Sequence, residues 1–278
     1  MREFRLTQPE LIVLAQFLLG IPLPPLGFPP DPELAERPVE EVVQKALEQL
    51  QAKGWVQVDE EGQPHIEPEL VQLLRTAAYV ERWMTVMVHP KGELPRQVGF
   101  YHDGERVVRH ELDAATQTHI FRPGPEDMGY AWLQAYVTQF AAATESEDHR
   151  PIVLLTPPEW DRLIRARLEG FPVSWEEMPL ERRDAFQDIL DAALWIQLQC
   201  LCSVYTGERE EVAFLLGPER NWMWTPGPCP RREDEEAADG ERDIPWCLQG
   251  RKMSLQALQR TLKVLWRALS AKQEVGEA

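Results

Sequence analysis

Six histidines and four cysteines are the residues of this chain best equipped for chemistry, and their spacing argues against it. His65, His89, His102, His110, His119 and His149 match no His-Glu-x-x-His pair. The chain also lacks a Gly-x-Ser-x-Gly elbow, a phosphate-binding loop and an Asp-rich calcium loop. Asp103-Gly104 reads as a two-residue hairpin turn. That turn sets His102 opposite Glu105 and His110 opposite Gln97, several rungs apart and too far to share a metal. Cys200, Cys202, Cys229 and Cys247 contain a Cys-x-Cys pair rather than the Cys-x-x-Cys spacing of common zinc sites. On a strand, Cys200 and Cys202 would share a face. The reading is reduced, buried cysteine, with a structural zinc site on all four as the alternative. No cofactor is expected. The chain reads as a protein that is not an enzyme. An enzyme with an unrecognised site is an alternative, because catalytic groups converge in space rather than in sequence.

The tryptophans say more. The second hairpin is expected to pair Leu216 with Glu219, Phe214 with Asn221 and Val212 with Met223. Trp222 and Trp224 then lie opposite Ala213 and Glu211, on the other face. Such a sheet is apolar on both faces. A C-terminal helix covers one face. The other needs the first half's sheet, a loop or another protein. Trp and Met are enriched in interface cores, so Trp222, Met223, Trp224, Trp246 and Trp266 are the candidate partner-binding residues.

The elements that position these residues come in two similar series. Leu6-Thr7-Gln8-Pro9-Glu10 runs to Gly20-Ile21-Pro22, and Leu155-Thr156-Pro157-Pro158-Glu159 runs to Gly170-Phe171-Pro172. Each begins with a Thr N-cap and a Glu three residues on, the signature of a capping box. The sequence therefore predicts an α/β (α+β) fold with a pseudo-twofold repeat: residues 1–148 and 149–278, joined by a linker at 144–150. In each half, helices precede an antiparallel sheet and a covering helix.

In the first half, seven prolines between 21 and 38 predict an extended strap. A helix from Pro38, a small wing of 55–58 and 65–66, and a helix over 68–78 resemble a winged helix-turn-helix. Strands are expected at 83–89, 96–102 and 106–112, with a short one near 119–121, then a helix over 126–142. In the second half a helix is expected over 180–198. Strands follow at 199–205, 210–216, 220–225 and 244–249, and Ser254 caps a last helix. Residues 231–243 read as a charged, disordered insertion in a hairpin.

Charge limits the partners. The net charge is −17. Residues 1–150 carry 13 basic and 24 acidic side chains, and the rest carry 16 and 22, so both halves are acidic. That opposes nucleic-acid binding, whose affinity comes from cations neutralising phosphates, and docking on an anionic membrane. A transcription regulator using the helix-wing segment 38–67 would need a basic recognition helix. No apolar run approaches the ~20 residues of a membrane span, and no secretory signal is read at the N-terminus. A cytoplasmic location is expected.

Leu6-Thr7 to Gly20, Leu50-x-x-Lys53-Gly54-Trp55-Val56, Pro68-Glu69-Leu70-Val71-Gln72-Leu73-Leu74 and the strand-turn-strand-helix order of each half resemble the EspG-type cytosolic chaperones of type VII (ESX) secretion. The resemblance implies a two-half α/β protein without catalytic residues, which keeps a small helical secretion substrate soluble by covering a hydrophobic tip. It also implies a substrate surface on the C-terminal sheet and helices, here around 222–225 and 244–270. The Pro strap, the 231–243 insertion and the four cysteines depart from that pattern. The function expected is a protein-binding chaperone or adaptor.

Overall fold

A computed structural model describes residues 2–24, 38–80, 82–103, 106–113, 115–145, 153–170, 180–201, 209–228 and 246–270. The fold is mixed α/β, with seven α-helices and twelve strands among these residues. In the first part of the chain come β1 (Phe4–Thr7), α1 (Gln8–Ile12), continued as a π-helix over Val13–Leu18, and α2 (Val39–Ala52). Next are β2 (Val56–Val58), β3 (Pro64–Ile66), α3 (Pro68–Ala78), β4 (Arg82–Pro90), β5 (Arg96–His102), β6 (Val107–Asp113), β7 (Thr118–Gly124) and α4 (Met128–Phe140). The remainder holds β8 (Val153–Leu155), α5 (Pro157–Glu169), α6 (Leu180–Asp191), β9 (Leu194–Leu201), β10 (Arg209–Leu216), β11 (Asn221–Pro228), β12 (Trp246–Met253) and α7 (Leu255–Ser270).

Ten strands form one antiparallel sheet in the order β1-β7-β6-β5-β4-β9-β10-β11-β12-β8. β2 and β3 form a separate two-stranded sheet. Period-2 alternation divides the large sheet's side chains between two faces. On the first face, Val86, Phe100, Ile196, Phe214 and Met223 are covered by α4 and α7. These helices touch each other, and the Trp266 ring lies where a Cβ on Gly129 would run into it. Trp266 also donates from Nε1 to the Glu126 carbonyl at 2.9 Å. On the second face, α1, α2 and α3 pack over Phe4, Tyr101, Val108 and Phe121. Further along that face, α5 and α6 pack over Trp195, Leu215, Trp222 and Trp224.

Both capping boxes form, with Thr7 and Glu10 opening α1 and Thr156 and Glu159 opening α5. Glu10 is fully buried, and Lys53 reaches it at 2.6 Å, so the first box is also an ion pair tying α1 to the end of α2. Ser254 caps α7 by accepting from the Ala257 N–H.

Several expectations need correction. Both large hairpins are shifted by two from the expected register. His102 faces Val107 and His110 faces Gly99, because Asp103 closes the turn rather than sitting in it: its N–H donates to the Arg106 carbonyl, and its side chain accepts from the Arg106 N–H. Leu216 faces Asn221, Leu215 faces Trp222 and Ala213 faces Trp224, because Gly217 pairs with Arg220. An even shift preserves each residue's face. The expected helix 180–198 ends at Asp191; from Leu194 the alternation of Leu194, Ile196 and Leu198 against Trp195, Gln197 and Gln199 makes β9 instead. Two edge strands, β1 and β8, were not expected. Residues 25–37 of the expected strap at 21–38, most of the linker and the 231–243 insertion lie outside the described residues.

Candidate functional site

The five candidate partner-binding residues do not come together on one surface. Trp222 and Trp224 are buried beneath α5 and α6, so helices of the chain itself cover the second apolar face of this part of the sheet. Trp222 Nε1 donates to the Asp188 carboxylate at 2.9 Å, and Trp224 packs against Trp160 with ring centres 5.3 Å apart. Met223 and Trp266 are buried on the opposite face. Trp246 differs: it is 63 % exposed, at the start of β12 opposite Pro228. Of the four cysteines, Cys247 is buried. The side chains of Cys200, Cys202 and Cys229 lie outside the described residues, and with them the proposed zinc set. Among the described residues, no group of three or more His, Cys, Asp or Glu is placed to hold a metal, and no helix is long and apolar enough to cross a membrane.

A different surface emerges at the middle of the sheet. β4 pairs with β9 over eight rungs, and β5 and β10 flank them. On the second face, α3 packs over β5 to β7, and α5 packs toward β12. Between these helical layers, and away from the end where α5 and α6 cover His89 and Trp195, the second face of the central strands keeps partly exposed side chains. The floor is Thr85 and Met87 of β4, Gln97 of β5, Gln197 and Gln199 of β9, and Glu211 of β10. The first five are half-buried and Glu211 is exposed. Met87 faces Gln97 on one side and Gln197 on the other, and Thr85 faces Gln199. Gln197 Nε2 donates to Glu211 at 2.8 Å. Four strands at ~4.8 Å spacing make a strip about 14 Å wide, and a helix with its side chains is about 10–12 Å across. The first face of the same strands is covered by α7. The strip is a trough with an amide-lined floor and a methionine at its centre. It can hold an amphipathic segment but offers no nucleophile beside a base.

One end of the trough is unusual. His89 continues the face of Met87 along β4 and is 6 % exposed, stacked on Trp195 at 4.5 Å. Among the described residues, neither ring nitrogen of His89 has a hydrogen-bond partner, nor does Trp195 Nε1. Arg167 reaches over from α5 and donates from Nη2 to the His89 carbonyl at 3.2 Å, while its buried Nε and Nη1 find no acceptor among the described residues. Burial, then the nearby guanidinium, pushes the His89 imidazole down to about 4. Burial also lowers Arg167.

A second buried histidine site lies under α1 to α3. His110 accepts or donates at both nitrogens, to Tyr101 Oη at 3.2 Å and to His119 at 2.8 Å. Burial, then the charge of His119, holds His110 well below the ordinary histidine range, and burial pushes His119 down to about 4. Tyr101 folds back over Gly99, where a Cβ would stand 2.6 Å from its hydroxyl. Sequence reasoning missed this trio because His119 sits diagonal to His110 across β6 and β7, a relation that only the register supplies.

No protein-family model matches the chain, and no curated protein matches it.

Proposed function

We propose that this chain is a non-enzymatic protein-binding chaperone or adaptor that takes an amphipathic helix of another protein into the central trough. The observation that carries the reading is the contrast between the two faces of the same four strands. One is closed by α7; the other is walled on both sides and about one helix wide. Helix-in-groove docking uses this geometry, with apolar anchors at helical spacing and polar groups at the rim. Trp246 extends the surface that a partner can reach without opening the fold. Trp222 and Trp224 act from within, by stiffening the second half's wall.

The mirrored strand order supports a pseudo-twofold relation between the halves. β1 and β8 lie at the two ends, each leading straight into a capping-box helix, while β4 and β9 meet at the centre. In this reading α2, β2, β3 and α3 are a winged-helix-like unit turned to packing, since Ala46, Leu50, Val56 and Leu70 are spent on the first half's core. The trough then sits on the axis relating the halves. Together with the residue resemblance, this supports an EspG-type role in the cytoplasm, with a small helical type VII secretion substrate as the partner.

The test is capture from the native cell by wild-type protein and by Met87→Glu, which places a charge at the centre of the floor. At least a tenfold loss of a specific helical partner is expected, with melting unchanged. Equal capture by the two proteins would sink the trough as the docking surface.

A further inference from the structure

We infer that Arg167, Trp195 and His89 form a carboxylate-binding site at one end of the trough, which receives an Asp or Glu side chain of the docked helix. The inference rests on the trough reading and adds a chemical requirement to the partner. Among the described residues, Arg167 has no carboxylate within ion-pair distance, and two of its nitrogens are buried without an acceptor. A half-buried cation lacking a counter-charge is a costly arrangement, and a buried donor without an acceptor adds to that cost. Trp195 contributes a third unmatched N–H, since indole nitrogen only donates. The His89 ring is stacked flat on Trp195 with neither nitrogen engaged by the described residues. A neutral imidazole supplies one more N–H without adding charge.

The cluster is therefore rich in donors and carries one positive charge, which matches one carboxylate. A phosphate dianion would leave a net negative charge in a buried site of an already acidic protein. Position supports the assignment as well. His89 lies two residues beyond Met87, and Trp195 two residues before Gln197, all on the same sheet face. His89 and Trp195 therefore continue the floor of Met87 and Gln197 toward the end where α5 places Arg167.

The probe is acetate, the smallest carboxylate, titrated at constant ionic strength into the full-length protein, with acetamide as the neutral isostere. The Trp195 indole N–H and the His89 ring resonances are followed by NMR. Saturable shifts with acetate and none with acetamide are expected. The apparent affinity should fall at least tenfold in Arg167→Gln and be unchanged in Arg165→Gln, an exposed arginine on the same helix. If Arg167→Gln fails to fold, Trp195→Phe keeps the ring, removes the donor and should weaken acetate several-fold.

No saturable response in wild type, or the same response in Arg167→Gln, overturns the site and means that the chain supplies its own counter-charge. The two readings fail separately. Loss of capture by Met87→Glu without any acetate response removes the carboxylate site alone. An acetate response with capture unaffected by Met87→Glu removes the trough alone.

Discussion

The two buried histidine sites are opposite solutions to one problem. Both lie against the sheet's second face, and burial holds their imidazoles far below the ordinary range. Under α1 to α3, His110 is engaged at both nitrogens, in a chain running from Tyr101 to His119. At the trough's end, His89 has a stacked ring, an arginine across its backbone and, among the described residues, no hydrogen bond to either nitrogen. A closed polar network fixes a core and costs stability when broken. An open one costs stability as it stands and marks a place where something else can bind.

The sharpest way to test this difference is to remove each ring. His110→Ala leaves a cavity and removes the hydrogen bonds to Tyr101 Oη and His119, so a loss of about 3 kcal/mol is expected in urea unfolding. A loss below about 1 kcal/mol would mean that the trio is not a working network. Acidification should affect both sites alike. Folded-state values lie below the unfolded value of 6.5, so the stability these histidines give is complete above pH 6.5 and is lost as pH falls toward about 4. Between pH 7 and 5.5 each should cost about 1 kcal/mol. A pH-independent midpoint over that range would contradict the burial of both.

Smaller effects separate the sites further. Tyr101→Phe removes the hydrogen bond to His110 and should cost about 1 kcal/mol. His89→Phe keeps the stacking on Trp195 and sacrifices no hydrogen bond, so it should change stability by less than about 1 kcal/mol, in either direction. A larger loss would show that His89 has a partner.

Much of the fold was legible because its signals are local. Thr7 with Glu10, Thr156 with Glu159, Pro68 and Ser254 mark helix starts through capping chemistry that needs only neighbouring residues. The strand face of each tryptophan was legible because parity survives an even shift in register. What failed was long-range or set by side chains within turns. Asp103 closes its hairpin with its own carboxylate, which a dipeptide rule does not see. β1 and β8 are a few residues long and gain strand form from β7 and β12, far off in sequence. The cover over Trp222 and Trp224 is α5 and α6, whose contact with the sheet is tertiary. The trough and the Arg167 cluster were illegible for the same reason: their residues come from β4, β5, β9, β10 and α5, and only the meeting of β4 with β9 gathers them.

That eight-rung meeting has a consequence for the chain's manufacture. Neither half can be released by cutting between them without baring a strand that was paired over eight rungs. The first half made alone would expose β4, and the second would expose β9, each an antiparallel template for its own copy. Fragments of this protein should therefore emerge as edge-paired homodimers or aggregates. A ribosome that has finished only the first half holds that sticky edge until the chain has grown through β9, Leu194–Leu201, to cover it.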